Sequence, residues 1–163
     1  MMDIATLLAP ERIAYAQEIS SRKRVFERLA ELLVNAQDDL SAEAVFDALT
    51  NREKLGSTAL GNGVALPHTS IAIPEARGAL LLLEEGLKMD APDKKPVQVF
   101  MAILVPTDKA SDFSPCITEL ASILLQKPLL EQLQHYREPD DILTYFNGLL
   151  PPPPQYYVTA LAA

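Results

Sequence analysis

The chain predicts an α/β layer domain whose sheet is at least partly antiparallel. Three observations carry that reading. Two apolar runs, 79–83 and 97–105, have the length and composition of central strands. Helical patterns stand before, between and after the apolar segments, which is how a layered α/β fold is written in sequence. The turn between the two runs, around Ala91-Pro92-Asp93, is too short for a helical crossover, so these strands should pair antiparallel.

The elements follow in order. Residues 1–20 suggest a short helix carrying Ile4, Leu7 and Leu8, then an extended piece at Ile13-Ala14-Tyr15. An amphipathic helix starts near Ser21, with Val25, Phe26, Leu29, Leu32 and Leu33 on one stripe. Asp38-Asp39 interrupts it. Ser41 caps a second helix, with Glu43 in the first turn where the helix dipole favours a carboxylate. That helix should bury Ala44, Val45, Ala48 and Leu49 and run into Asn51-Arg52-Glu53. The segment Leu55–Gly63 holds three of the six glycines and reads as an irregular loop. Val64-Ala65-Leu66 reads as a buried strand that Pro67 ends. After the two long strands, Ser114-Pro115 has the form of a helix start, serine as cap and proline at the first helical position. Ile117, Leu120, Ala121 and Leu124 give that helix its apolar face. Pro128 and Pro139 open further helices over roughly 128–135 and 139–149.

The domain is expected to span 1–150, a length that can bury a sizeable core. Residues 151–163 begin with four prolines and read as an extension that favours polyproline II. Hydrophobic residues make up 48% and charged residues 22%, which excludes a disordered chain. Fourteen basic against 22 acidic side chains leave a net charge of −8, which argues against a nucleic-acid partner. A basic protein partner is compatible with it, with charge acting on encounter rate. The single cysteine, Cys116, excludes an internal disulfide and fits a reducing compartment. No secretory leader is visible and no apolar run is long enough to span a bilayer, so a cytoplasmic protein without membrane insertion is expected.

The chemistry concentrates between Arg52 and His68. His68 is one of only two histidines and ends the run Leu66-Pro67-His68 after the glycine-rich loop. A neutral imidazole with one free ring nitrogen can accept a phosphoryl group, and a hydrogen bond at the other nitrogen fixes its tautomer. Arg52 offers a planar bidentate donor to phosphate. Backbone amides at Gly61, Asn62 and Gly63 can approach an anion closely, and the Ser57 and Thr58 hydroxyls are further candidate donors. On spacing alone a second reading stays open, in which a glycine-rich turn leads into a strand whose terminal histidine is satisfied by backbone. His135, at a polar helix end, reads as a surface residue. Cys116 reads as a packed thiol or one with a lowered pKa. Two distant histidines and one cysteine have no zinc spacing, so neither a metal nor a cofactor is expected.

The run Arg52-Glu53-x-Leu55-Gly56-Ser57-Thr58, with Gly61-Asn62-Gly63-Val64-Ala65-Leu66-Pro67-His68, resembles the signature of the IIA domains of the bacterial phosphoenolpyruvate-dependent phosphotransferase system. The similarity is to the fructose/mannitol type, in its nitrogen-regulatory branch. It extends through Asp90-Ala91-Pro92-Asp93, Pro96-Val97 and Leu104-Val105-Pro106, over about residues 4–149. The resemblance implies a mixed sheet flanked by helices on both faces. It implies that His68 is the phosphorylated histidine and that Arg52 attends the phosphoryl group. It also implies an HPr-type carrier as donor, and regulatory targets such as potassium-transport or sensor proteins.

The chain departs from the pattern in two places. Phe113 stands where the family usually has a second histidine, and Thr69 where glycine is common. Asp112 adds a carboxylate that would repel a phosphoryl group if it pointed inward, whereas free amides at a helix start at Ser114 would favour one. Two alternatives accompany the main reading. One is a phosphorylation-silent binding module of the same fold. The other is a sugar-specific IIA component passing phosphate to a IIB domain.

Overall fold

The computed structural model describes residues 6–35, 39–126, 129–133 and 135–149. A 3-10 turn, Pro10–Arg12, leads into β1 (Ile13–Gln17), followed by α1 (Arg22–Leu33) and α2 (Ala42–Lys54). Three short strands follow: β2 (Ala59–Gly61), β3 (Val64–Ala65) and β4 (His68–Ile71). The long pair is β5 (Arg77–Leu87) and β6 (Val97–Pro106). A second 3-10 turn, Thr107–Lys109, leads into α3 (Ala110–Gln126), then α4 (Leu129–Leu133) and α5 (Pro139–Leu149).

The six strands form one mixed sheet in the order β1-β5-β6-β3-β2, with β4 also paired to β6. As the short connection requires, β5 and β6 are antiparallel, while β1 runs parallel to β5. Both β3 and β4 lie parallel along the far side of β6, Val64 opposite Val99 and His68 opposite Ile103. They are two pieces of one path. Pro67 has no N–H to donate, so it interrupts the ladder but does not end the strand run. Its carbonyl still accepts from the Ile103 amide at 2.9 Å, and the chain re-enters the sheet at His68.

Both faces of the sheet are covered, which is why the centres of β5 and β6, residues 79–83 and 99–105, read as apolar runs. Ala79, Leu81, Leu83, Phe100, Ala102 and Leu104 pack under α1 and α2. Their alternates Leu80, Leu82, Val99, Met101 and Ile103 pack under α3, α4 and α5. Helices α1 and α2 both start where the sequence places them, and Ser41 is the cap it names; Ser21 caps α1 as well. Ser21 Oγ accepts from the Arg24 amide at 3.2 Å, and Ser41 Oγ from the Ala44 amide at 3.0 Å.

Four expectations are corrected. Helix α3 begins at Ala110, so Ser114 is no cap and Pro115 lies inside the helix. The 3-10 turn at 107–109 has already set the helical direction, and a proline this near the start removes only one bond, to the Ser111 carbonyl. In α2, Ala44 is exposed and Phe46 packs against the core. The apolar Leu7 and Leu8 are buried against the sheet but precede a 3-10 turn; Ile4 lies outside the described residues. Helix α4 spans only Leu129–Leu133; Pro128, and the tail 151–163, also lie outside them. No described helix is long and apolar enough to cross a membrane.

Candidate functional site

Strand β4 sits at the edge of the sheet, between the end of α2 and the first turns of α3. An open cleft of about 360 Å3 lies there. Arg52 and His68 line it with Ser70, Phe113, Ser114 and Ile117, among others. The structure thus brings the two leading sequence candidates to one surface.

His68 is half-buried, and its Nδ1 lies 2.7 Å from the Leu66 carbonyl oxygen. A carbonyl oxygen can only accept, so Nδ1 carries the proton. The neutral ring then has its lone pair on Nε2. The proline between Leu66 and His68 helps set this contact, because it fixes the backbone between donor and acceptor.

Arg52 stands in the last turn of α2 and donates from Nη1 to the Gly56 carbonyl at 3.0 Å. A guanidinium has five N–H groups, so this tether leaves donors for an anion. The neighbouring Glu53 closes the loop onto the helix. Its carboxylate accepts from the Thr58 amide at 3.1 Å and the Thr58 hydroxyl at 2.6 Å. Leu55, at the turn between them, is 85% exposed.

The other proposed phosphate ligands do not line this cleft, and the donors of Ser57, Thr58 and Asn62 are committed elsewhere. The Ser57 hydroxyl donates to the Met89 carbonyl at 2.7 Å, and that of Thr58 to Glu53. Gly61, Asn62 and Gly63 form the tight turn between β2 and β3, with φ of 109°, 56° and 79°. The turn lies about 16 Å from His68 at the usual strand rise. Its Asn62 amide donates to the Asp93 carboxylate at 2.8 Å. The Asn62 amide, followed by that of Lys95, holds the Asp93 carboxyl below its ordinary pKa. An anion already occupies this nest and would repel a second. These glycines serve the turn: a Cβ at Gly63 would collide with Leu130 Cδ1. The groove beside the turn is larger, about 590 Å3, but is lined by Leu125, Leu129 and Leu130 and holds no histidine.

Phe113 lines the same cleft as His68, one wall being the start of α3. Asp112 is exposed and does not line the cleft, so it brings no carboxylate to the imidazole. Thr69 lies beside His68 in the cleft wall. His135 is exposed and Cys116 is buried in the second turn of α3. No group of three or more metal-ligating side chains is found among the described residues. Sequence reasoning missed Glu53 and Asp93 as the residues that hold the loop. A local signal existed for Asp93, whose Oδ1 accepts from the amide two residues on, at Lys95, in an Asx turn.

Comparison with known proteins agrees with this fold. The family model described as "Phosphoenolpyruvate-dependent sugar phosphotransferase system, EIIA 2" matches residues 6–148. A nitrogen regulatory protein homolog of Haemophilus influenzae is 34% identical over 153 residues, covering 90% of this chain and 92% of that one. The crystal structure of the nitrogen regulatory protein IIA-Ntr from Neisseria meningitidis superposes with a TM-score of 0.79 at 35% identity, over 86% of this chain and 97% of that one. The IIA mannitol structure of Escherichia coli, at 20% identity and a TM-score of 0.67 over 84% and 96%, shares the fold. An α/β mixed sheet between two helical layers is thus a shared architecture, and the chain belongs to the EIIA 2 family of the phosphoenolpyruvate-dependent sugar phosphotransferase system, in its nitrogen-regulatory branch.

Proposed function

We propose that this protein is a cytoplasmic phosphocarrier and regulator that takes a phosphoryl group onto Nε2 of His68 from an HPr-type carrier. The observation that carries the reading is the Nδ1 bond to the Leu66 carbonyl, made in a cleft shared with Arg52. In the transfer, the Nε2 lone pair forms a bond to the phosphorus of the carrier's phosphohistidine. The carrier's P–N bond breaks, and its electron pair returns to that imidazole. No proton has to leave His68, because Nδ1 keeps its own. Charge on the equatorial oxygens is stabilised by the Arg52 guanidinium. The cleft is open, as two proteins meeting over one group require, and exposed Leu55 adds apolar surface beside Arg52. The phosphoryl group changes the charge of this surface and so changes which regulatory proteins bind it.

Incubation with the phosphorylated carrier, followed by intact mass, tests the reading. One added phosphoryl group on the wild type and none on His68→Ala is expected. An unlabelled wild type, or equal labelling of the variant, would overturn it. A second reading, a phosphorylation-silent binding module, is favoured by one observation: Phe113, whose side chain has no donor, lines the cleft with His68. Under it, partner binding survives His68→Ala unchanged.

A further inference from the structure

The α3 side of the cleft is a single helical stripe. Ala110, Phe113, Ser114, Ile117 and Thr118 fall at i, i+3, i+4, i+7 and i+8, and all line the cavity that holds Arg52 and His68. A phosphoryl group in transit spreads charge over its equatorial oxygens, and donors on two sides hold it better than donors on one. Arg52 supplies the α2 side. On the α3 side Phe113 has no donor. The Ser57 hydroxyl is spent on Met89, that of Thr58 on Glu53, and the Asn62 amide on Asp93.

Ser114 is different. A hydroxyl inside a helix commonly bonds back to the carbonyl four residues earlier. Thr118 does so, to the Ser114 carbonyl at 3.2 Å, and Thr144 does so, to the Asp140 carbonyl at 2.9 Å. Ser114 is exposed, and its hydroxyl makes no hydrogen bond among the described residues. It is the free donor on the wall opposite Arg52. Thr69 and Ser70 also line the cleft, but they stand on the same strand as His68 and reach only from beside it.

We propose that the Ser114 hydroxyl donates to an equatorial oxygen of the phosphoryl group on His68, completing from α3 the clamp that Arg52 begins from α2. The serine keeps its proton and forms no covalent bond. This inference rests on the phosphocarrier function proposed above. It assigns a ligand one residue beyond Phe113, in place of the imidazole that position lacks.

Single-turnover labelling by the phosphorylated HPr-type carrier tests it, on wild type, Ser114→Ala, Ser114→Thr and Ser70→Ala. Loss of one oriented donor in an open, hydrated site is expected to slow transfer about tenfold in Ser114→Ala, less than the roughly hundredfold or more that a donor in a water-excluded site contributes. Ser114→Thr keeps the hydroxyl and should stay near the wild-type rate, and Ser70→Ala should too. Binding of the unphosphorylated carrier, followed by titration calorimetry, should be the same in all four. A Ser114→Ala rate equal to wild type overturns the inference and leaves the phosphocarrier function standing. So does a Ser114→Thr rate as slow as Ser114→Ala, a slowing found in Ser70→Ala instead, or a loss of carrier binding that matches the loss of rate. A wild type that takes no label overturns the function and the inference together.

Discussion

The carbonyl of Leu66 accepts a 2.7 Å hydrogen bond from Nδ1 of His68, two residues further along the chain. The acceptor belongs to the backbone, so no side-chain substitution elsewhere can remove it. It orients the ring and leaves Nε2 as the nitrogen with the lone pair. Nitrogen-15 NMR of the neutral ring should therefore show a protonated Nδ1 and a bare Nε2. After labelling, phosphorus coupling should appear at Nε2. Coupling at Nδ1 would mean that the bond to Leu66 is broken during transfer and that the tautomer argument is wrong.

Glu53 does for the loop what Leu66 does for the ring. Its carboxylate satisfies two donors of Thr58, a residue only 5% exposed. Hydrogen bonds to a charged group are stronger than neutral ones, and removing the acceptor leaves buried donors unpaired. Glu53→Ala should lower the free energy of unfolding by about 2 kcal/mol. Urea denaturation measures this. A change within about 0.5 kcal/mol, the range of an ordinary surface substitution, would show that the loop is held by other contacts.

How much of this could be read from the chain depends on range in sequence. The start of α1 near Ser21 and the cap at Ser41 are local events, the cap spanning three residues, and were legible. The long strands were legible because helices cover both faces, so the runs carry no polar alternation to confuse them. Ser114-Pro115 misled for the same local reason. Its signal is a helix start, but the turn at Thr107–Lys109 begins the helix earlier and a single lost bond does not stop it. At the site, His68 and Arg52 each carry a local signature. The donors of Ser57 and Asn62 are taken by Met89 and Asp93, 32 and 31 residues away. Pairings of that span leave no periodic trace, so a loop rich in donors looked available when its donors were already spent.

Asp93 gives the fold a pH dependence of predictable sign. Its folded-state pKa is depressed, first by the Asn62 amide and then by that of Lys95. A depressed carboxylate contributes stability that is present above its unfolded pKa, about 4, and is lost as pH falls through the lower folded value. Asp93→Asn should therefore melt at a lower temperature than wild type near neutral pH. The gap should narrow as the pH drops below about 4, where the wild-type carboxyl takes up its proton. Thermal melts across that range follow it. A gap that stays constant with pH would show that the charge on Asp93 does not hold the turn.

Phe113 is the residue that separates the two functional readings. It is half-buried in the wall of the His68 cleft and also lines a second cavity with Leu7, Pro74 and Lys109, so it is a partition between the two. An imidazole there would bring a donor within the same wall as Ser114, at the cost of some apolar packing. Phe113→His should accelerate labelling by about tenfold, less than the roughly hundredfold at the low end for a positioned proton donor or acceptor, and lower the melting temperature by a few degrees. Stopped-flow labelling by the phosphorylated carrier measures the first and a thermal scan the second. If wild type labels and the variant labels faster, one histidine suffices for transfer and the second only speeds it. If only the variant labels, the native phenyl ring keeps the site silent, and the wild-type protein acts through binding alone. If the variant is slower than wild type, the phenyl wall is itself adapted to the phosphoryl group and the donors already present are enough.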